Sequence, residues 1–319
     1  LVTVDNTAPV VTATAITGIP ELGETLSCSA QSSDSDVDSL TESISWSVGG
    51  QSIGSGASLT LSPAQLSPND SLTCTVTVSD PYGASASDSA SISILNQDPV
   101  VDSLSLSPAA INNQGTIECA ALASDPDSET PALSYSWSND STGAILGSGS
   151  TLTLTPALAS SQDLVSCSVS AVDGYGGSVS ASISFTVENT APVFVSAAVI
   201  APIVGVTTSS TLSCSGVAQD TDGSLPTLTY LWENLNSGAA LGTGSSVTLS
   251  PGIVSPTEVV QCTITATDAD GEMAISFDSV QVSNSGPVLS AVTFSPSSGV
   301  TTSSTLSCAA TVSDPDGEQ

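Results

Sequence analysis

The sequence predicts an all-β chain of tandem β-sandwiches in a linear array, and three observations carry that prediction. A cysteine, a tryptophan eighteen residues later and a closing cysteine recur as a unit. Apolar and polar residues alternate around each of them, which is the period of a half-buried strand. A linker returns at Asn6, Asn96, Asn189 and Asn284, at spacings of 90, 93 and 95 residues. That length suits one two-sheet sandwich per repeat.

Each repeat opens on its linker, NTAPVV (6–11), NQDPVV (96–101), NTAPVF (189–194) or NSGPVL (284–289). Proline there fixes φ, removes a donor and ends strand pairing. A first strand and a turn lead to the first cysteine strand, TLSCSA (25–30), TIECAA (116–121), TLSCSG (211–216) and TLSCAA (305–310). An acidic loop follows, as in SDSDVDS (33–39), SDPDSET (124–130) and QDTDGS (219–224), and then the tryptophan strand, SISWSV (43–48), SYSWSN (134–139) or TYLWEN (229–234). The Gly-x-Gly stretches at 54–56, 147–149 and 242–244 run into strands and not helices, so they are turns and not phosphate loops. Ser62-Pro63, Thr155-Pro156 and Ser250-Pro251 place a cap residue before proline, which predicts a single helical turn crossing between sheets. The closing cysteine strand and a last strand complete the repeat.

The expected division is 1–5 as the end of a preceding repeat, 6–95, 96–188 and 189–283 as whole repeats, and 284–319 as the start of another. Both ends are expected to be cut inside a longer array. Six of the seven cysteines are expected to pair within repeats as Cys28 with Cys74, Cys119 with Cys167 and Cys214 with Cys262, while Cys308 would meet a partner beyond Gln319. Zinc is the weaker reading, because its sites need ligands a few residues apart and the chain has no histidine. Regular disulfides in small β units place the chain in an oxidising compartment, extracellular or at a cell surface.

Charge narrows the partners sharply. The chain carries 31 carboxylates and no lysine, arginine or histidine. Nothing can neutralise phosphates, so nucleic acid is excluded as a partner. No apolar run is long enough for a membrane span. Catalysis lacks a histidine or lysine for proton transfer and an arginine to hold an anion, so no enzyme activity is expected.

The motifs SDPDSETPALSYSW (124–137) and QDTDGSLPTLTYLW (219–232) resemble those of bacterial extracellular immunoglobulin-like repeats, of the kind grouped with PKD and cadherin-like modules. The resemblance covers the whole chain and implies an immunoglobulin-like sandwich for each repeat. Two features depart from it. SVGGQS, SNDSTG and ENLNSG stand after the tryptophans where PKD modules carry Gly-Asp-Gly, and Leu72, Val165 and Val260 replace the tyrosine of the tyrosine corner.

The acidic loops are the one constellation with a chemical use. In such a path the loops after the two cysteine strands share a pole with the linker. That would gather Asn6 with Asp34, Asp36 and Asp80; Asp98 with Asp125, Asp127 and Asp173; and Glu188 with Asp220, Asp222, Asp268 and Asp270. Clustered hard oxygen ligands suit Ca²⁺ at the joints between repeats. The same composition also makes an ordinary solvated turn. The expected function is a non-catalytic secreted structural protein, a rod or fibre serving as filament, stalk or adhesin shaft, with self-association as its expected partnership. The alternatives are repeats that bind a surface or glycan, or a spacer attached to an extracellular hydrolase.

Overall fold

The computed structural model describes residues 4–318. The stretch read as the end of a preceding repeat falls outside it at residues 1–3, and Val4 and Asp5 carry no strand. Contacts divide the chain into two compact units, one formed by residues up to 110 with 116–153 and 164–185, the other by 111–115, 154–163 and everything from 186 onward.

In the first unit, the first repeat forms β1 (Val10–Thr17), β2 (Thr25–Ser33), β3 (Thr41–Val48), β4 (Gln51–Ser55), β5 (Ser58–Thr60), β6 (Ser71–Ser79) and β7 (Ser85–Ser93). The order β1-β2-β5 makes one sheet and β4-β3-β6-β7 the other. All pairings are antiparallel. Alternation decides which residues turn inward: on β6 the buried ones are Leu72, Cys74, Val76 and Val78, every second position. The second repeat repeats the plan with β8 (Val100–Ser107), β9 (Thr116–Ser124), β10 (Ala132–Asn139), β11 (Ala144–Ser148), β12 (Thr151–Thr153), β13 (Leu164–Val172) and β14 (Ser178–Thr186), in sheets ordered β12-β9-β8 and β11-β10-β13-β14.

In the second unit, the third repeat forms β15 (Val193–Ala201), β16 (Thr211–Gln219), β17 (Thr227–Asn234), β18 (Ala239–Gly242), β19 (Ser246–Thr248), β20 (Val259–Thr267) and β21 (Met273–Gln281). Its sheets run β15-β16-β19 and β18-β17-β20-β21. Short exposed strands follow: β22 (Val288–Leu289) pairs with β25 (Val312–Ser313), and β23 (Thr293–Ser295) with β24 (Ser307–Ala309). Cys308 on β24 is a free, exposed thiol. No helix among the described residues is long and apolar enough to cross a membrane.

Disulfides join the two sheets of each sandwich as the sequence predicts. Cys28–Cys74, Cys119–Cys167 and Cys214–Cys262 have Cα separations of 6.5, 6.5 and 6.4 Å. Each tryptophan lies directly across from the closing cysteine on the neighbouring strand, in the pairs Trp46 with Cys74, Trp137 with Cys167 and Trp232 with Cys262. The three rings are fully buried. Removing about 200 Å² of ring from water at about 25 cal/mol per Å² stabilises each sandwich by about 5 kcal/mol. Loop closure by the disulfide contributes about 4 kcal/mol by the chain-entropy relation. The two effects are comparable.

The Gly-x-Gly turns prove to be part of this core. The second glycine of each turns its carbonyl to the ring, so that Trp46, Trp137 and Trp232 donate their indole N–H to Gly56, Gly149 and Gly244 at 2.9, 2.9 and 2.8 Å. The first glycine stands opposite the tryptophan at a bulge, and a Cβ on Gly54 would strike Leu59. The Ser-Pro and Thr-Pro segments form the expected single turn: Leu66, Ala159 and Val254 donate N–H to the carbonyls of Ser62, Thr155 and Ser250 at 3.0, 3.2 and 3.2 Å.

Replacing Cys119 and Cys167 together by alanine is expected to destabilise the second repeat by about 4 kcal/mol. Denaturant unfolding followed by tryptophan fluorescence should then show one early transition from Trp137 alone. A single transition at the original midpoint would contradict the disulfide's part in holding this sandwich.

Candidate functional site

The acidic loops meet the linkers through one repeated arrangement of donors and carboxylates. In the first repeat, Asn6 donates its side-chain amide to Asp80 Oδ2 at 2.7 Å, and the Thr7 backbone N–H donates to Asp36 Oδ2 at 2.6 Å. In the second, Asn96 donates to Asp173 Oδ2 at 2.9 Å and the Gln97 N–H to Asp127 Oδ2 at 2.7 Å. In the third, Asn189 donates to Asp268 Oδ2 at 2.9 Å and the Thr190 N–H to Asp222 Oδ2 at 2.6 Å. The Ser285 N–H donates to Asp316 in the same way. Two loops from two cysteine strands therefore grip adjacent linker residues, which puts both loops at one pole of the sandwich.

Local sequence explains why each carboxylate is aimed. Asp34, Asp125, Asp220 and Asp314 accept the N–H of the aspartate two residues on, at 2.7 to 2.8 Å. That turn is the habit of Asp-x-Asp and points the second aspartate at the linker. On the other loop, Asp80 Oδ1 accepts the N–H of Tyr82 and Ala84, Asp173 Oδ1 those of Tyr175, Gly176 and Gly177, and Asp268 Oδ1 those of Asp270 and Glu272. These aspartates close their own loops before they reach the linker asparagine.

The preceding repeat also reaches into the clamp. Leu22, Asn113 and Thr208 each stand six residues ahead of their repeat's first cysteine, and all three are buried. The Leu22 carbonyl accepts from Gln97 Nε2 at 3.2 Å, Asn113 donates to the Asp222 carbonyl at 3.1 Å, and the Thr208 hydroxyl donates to Asp316 Oδ1 at 2.7 Å. Gln114 adds a bond to the Thr221 carbonyl at 2.6 Å. Position alone links these three residues, because leucine, asparagine and threonine share no chemistry. Only aligning the repeats on their cysteines reveals them.

Electrostatics follow the donors. The Asn6 amide holds the Asp80 carboxyl below the usual carboxylate range, and the Asn96 amide does the same for Asp173. At Asp268 burial pushes upward, but the Asn189 amide and the loop N–H groups together outweigh it and the result is lowered. The Ser285 N–H and then the Thr208 hydroxyl lower Asp316. Two carboxyls go the other way. Burial raises Asp38 and Asp125, helped by the charges of Asp34, Asp36 and Asp80 for the first and of Asp127, Asp173 and Asp98 for the second.

The candidate ligands do not all converge. Asp34, Asp36 and Asp38 offer oxygens within 4.8 Å of one another, the one such acidic group among the described residues. Asp80 is not in it. In the second repeat Asp98 and Asp173 close on the same point with Asn96, where a Cβ on Gly177 would collide with all three. Asp270 is engaged by the Ser161 hydroxyl, and Glu188 lies in a backbone bridge with Asn112. Several buried oxygens in these loops have no donor: Oδ2 of Asp34, Asp38 and Asp125, Oδ1 of Asp222 and Oδ1 of Asn96. Asp125 and Asp222 are only 8% and 9% exposed. An acceptor buried without a donor fits a cation.

Strand order, disulfide and buried tryptophan together define tandem immunoglobulin-like β-sandwiches. A profile of the bacterial Ig domain matches residues 6–94 and 96–186, more than half of the chain. The chain belongs to that family. No curated protein sequence matches it. Among solved structures it is similar to one described as a 1.5-MDa bacterial ice-binding adhesin, at 14% identity over 88% of this chain and 99% of that one, with a TM-score of 0.37. It is similar to a Ca²⁺-stabilized adhesin of an Antarctic bacterium at 14% identity, 91% and 78% coverage and a TM-score of 0.36. A tetra-tandem repeat from the extending region of a large adhesion protein gives 16%, 96%, 89% and 0.32. Likeness this loose carries no weight for what the chain binds or does.

The lowered carboxyls predict acid sensitivity at the joints. A carboxyl whose folded pKa lies below its unfolded value near 3.9 stabilises the fold fully above that value and loses the effect as pH falls through the folded pKa. Asp38 and Asp125 act oppositely, their contribution growing as pH falls. Calorimetry is expected to show a flat melting midpoint from neutral pH to about 5 and a decline below about 4. The variant Asn6→Ala, Asn96→Ala, Asn189→Ala removes the donors and should flatten that decline. An identical pH profile in the variant would sink the assignment.

Proposed function

We propose that the chain is a non-catalytic, secreted structural array, a rod whose repeats serve as the shaft of a surface filament or adhesin, stiffened by Ca²⁺ at its joints. The observation that carries the reading is the clamp itself. The same linker N–H, linker asparagine and pair of acidic loops recur in three repeats, and the linker N–H bond a fourth time at Ser285. A repeated joint built on one plan is what a spacer requires. The disulfides and the family favour an extracellular or cell-surface setting.

Two supports favour Ca²⁺ over a plain turn. Hard oxygen ligands are gathered with no basic side chain to balance them. Buried oxygens in the same loops lack any donor. The residues that would hold the ion are Asp34, Asp36 and Asp38 in the first repeat, Asp125 with Asp98 and Asp127 in the second, and Asp222 with Asp220 in the third. Asp80, Asp173 and Asp268 are loop and linker anchors first, and Asp270 is held by Ser161. Carboxylates already fed by backbone N–H groups give up less to a metal, so affinity should be weak, with dissociation constants of about 10⁻⁴ to 10⁻³ M.

Titration calorimetry of the whole chain is expected to detect binding in that range, and Asp125→Asn should remove the second repeat's share of it. X-ray scattering should report a stiffer particle with millimolar calcium than with chelator. No heat of binding and identical scattering would leave the acidic loops as hydrogen-bonded clamps alone.

A further inference from the structure

We propose that the outer face of the third repeat's four-stranded sheet docks a second copy of this chain, through a patch centred on Phe277, Ile275 and Leu231. The chain supplies its own comparison. On β7 every outward residue from Ser85 to Ser93 is serine, and on β14 so is every one from Ser178 to Ser184. On β21 the first three outward positions are Met273, Ile275 and Phe277, which are 62%, 65% and 65% exposed.

Register shows how the patch is assembled. Leu231 on β17, Thr263 on β20 and Phe277 on β21 form one cross-strand row, and Thr229, Thr265 and Ile275 the next. In the first repeat the hydroxyls of Thr77 and Ser87 share a hydrogen bond of 2.8 Å, and in the third the same pair is Thr265 and Ile275. Strand propensity does not explain the change, since serine serves the same strand twice and methionine is no strand former. An exposed apolar cluster of this kind marks an interaction surface.

Geometry favours the face over the edge. The N–H groups of Ala198 and Ile200 on β15 donate to Ser276 Oγ and Asp278 Oδ2, each at 2.8 Å, so β15 already occupies the flank of β21. Charge and area then favour a second copy. Among the described residues, Glu233 is the one carboxylate at the outward positions of β17, β20 and β21, in the row beside that of Leu231, on a chain with 31 and no cation. A cationic partner would be drawn to the acidic loops. Two like-charged copies can meet only where carboxylates are sparse, with the rest screened beyond about 8 Å at physiological salt. Strands of 4, 8, 9 and 9 residues (β18, β17, β20 and β21) at about 4.8 Å spacing and 3.4 Å rise give a face of about 500 Å². Two such faces bury about 1,000 Å², the area at which specific association begins, which suits a weak and reversible dimer.

The test is sedimentation equilibrium of the whole chain in a Cys308→Ser background, which removes dimers made by the free thiol. From about 1 μM to 1 mM a reversible dimer is expected, and Ile275→Ser or Phe277→Ser should each weaken it about tenfold or more. Their melting midpoints should hold, because serine stands there in the sister repeats. Independently of any β21 variant, amide exchange on β20 and β21 should slow with concentration while β6 and β7 stay unchanged. A chain that remains monomeric, or a dimer that survives Ile275→Ser with Phe277→Ser, would overturn the proposal. So would a monomer that binds phosphatidylcholine vesicles through Phe277, which would give the face to a lipid surface.

Discussion

A chain without a single cationic side chain has to satisfy 31 carboxylates with N–H groups, hydroxyls, water or metal. That constraint explains the joints. The linker backbone supplies an N–H where another protein would use arginine, and the linker asparagine supplies a second donor beside it. Because a backbone N–H cannot swing away as a long side chain does, each bond also fixes the linker's direction. Charge satisfaction and joint geometry are thus one interaction.

The sandwich behind each clamp is built so that it can be copied. In the first and third repeats the disulfide and the ring belong to one buried cluster drawn from a single repeat, and the glycine carbonyl is bonded to the ring. Outward positions are then free to vary as long as they suit a strand. Most became serine and threonine, and their hydroxyls pair across strands, as between Thr73 and Ser91. This freedom makes the apolar outward row on β21 informative, since nothing in the core calls for it.

Much of the fold was legible in the sequence. Strand alternation, the Cys-Trp-Cys spacing and the proline linkers each depend on residues within a few positions, and the sandwich follows from them. The glycines are legible as turns, but their carbonyl's bond to tryptophan is not, because a backbone acceptor leaves no mark in a sequence. The gathering of the acidic loops at a pole is legible in their spacing, while the sharing of labour among them is not. Asp80 and Asp173 differ from Asp34 and Asp125 only in which N–H groups surround them. Leu22, Asn113 and Thr208 carry no signal in the sequence because their common property is position. Asn139, in a glycosylation-like triplet, is buried with its side chain accepting from Ser141 and Thr142. Pattern could not reveal that.

Backbone N–H groups in the linkers are held by aspartate carboxylates. Amide hydrogen exchange at Gln97 and Thr190 tests it most directly, because neither residue belongs to a strand. Protection approaching that of the neighbouring strands, and lost on changing Asp127 or Asp222 to alanine, is the predicted result. Exchange at the rate of an unstructured chain at both amides would contradict the account.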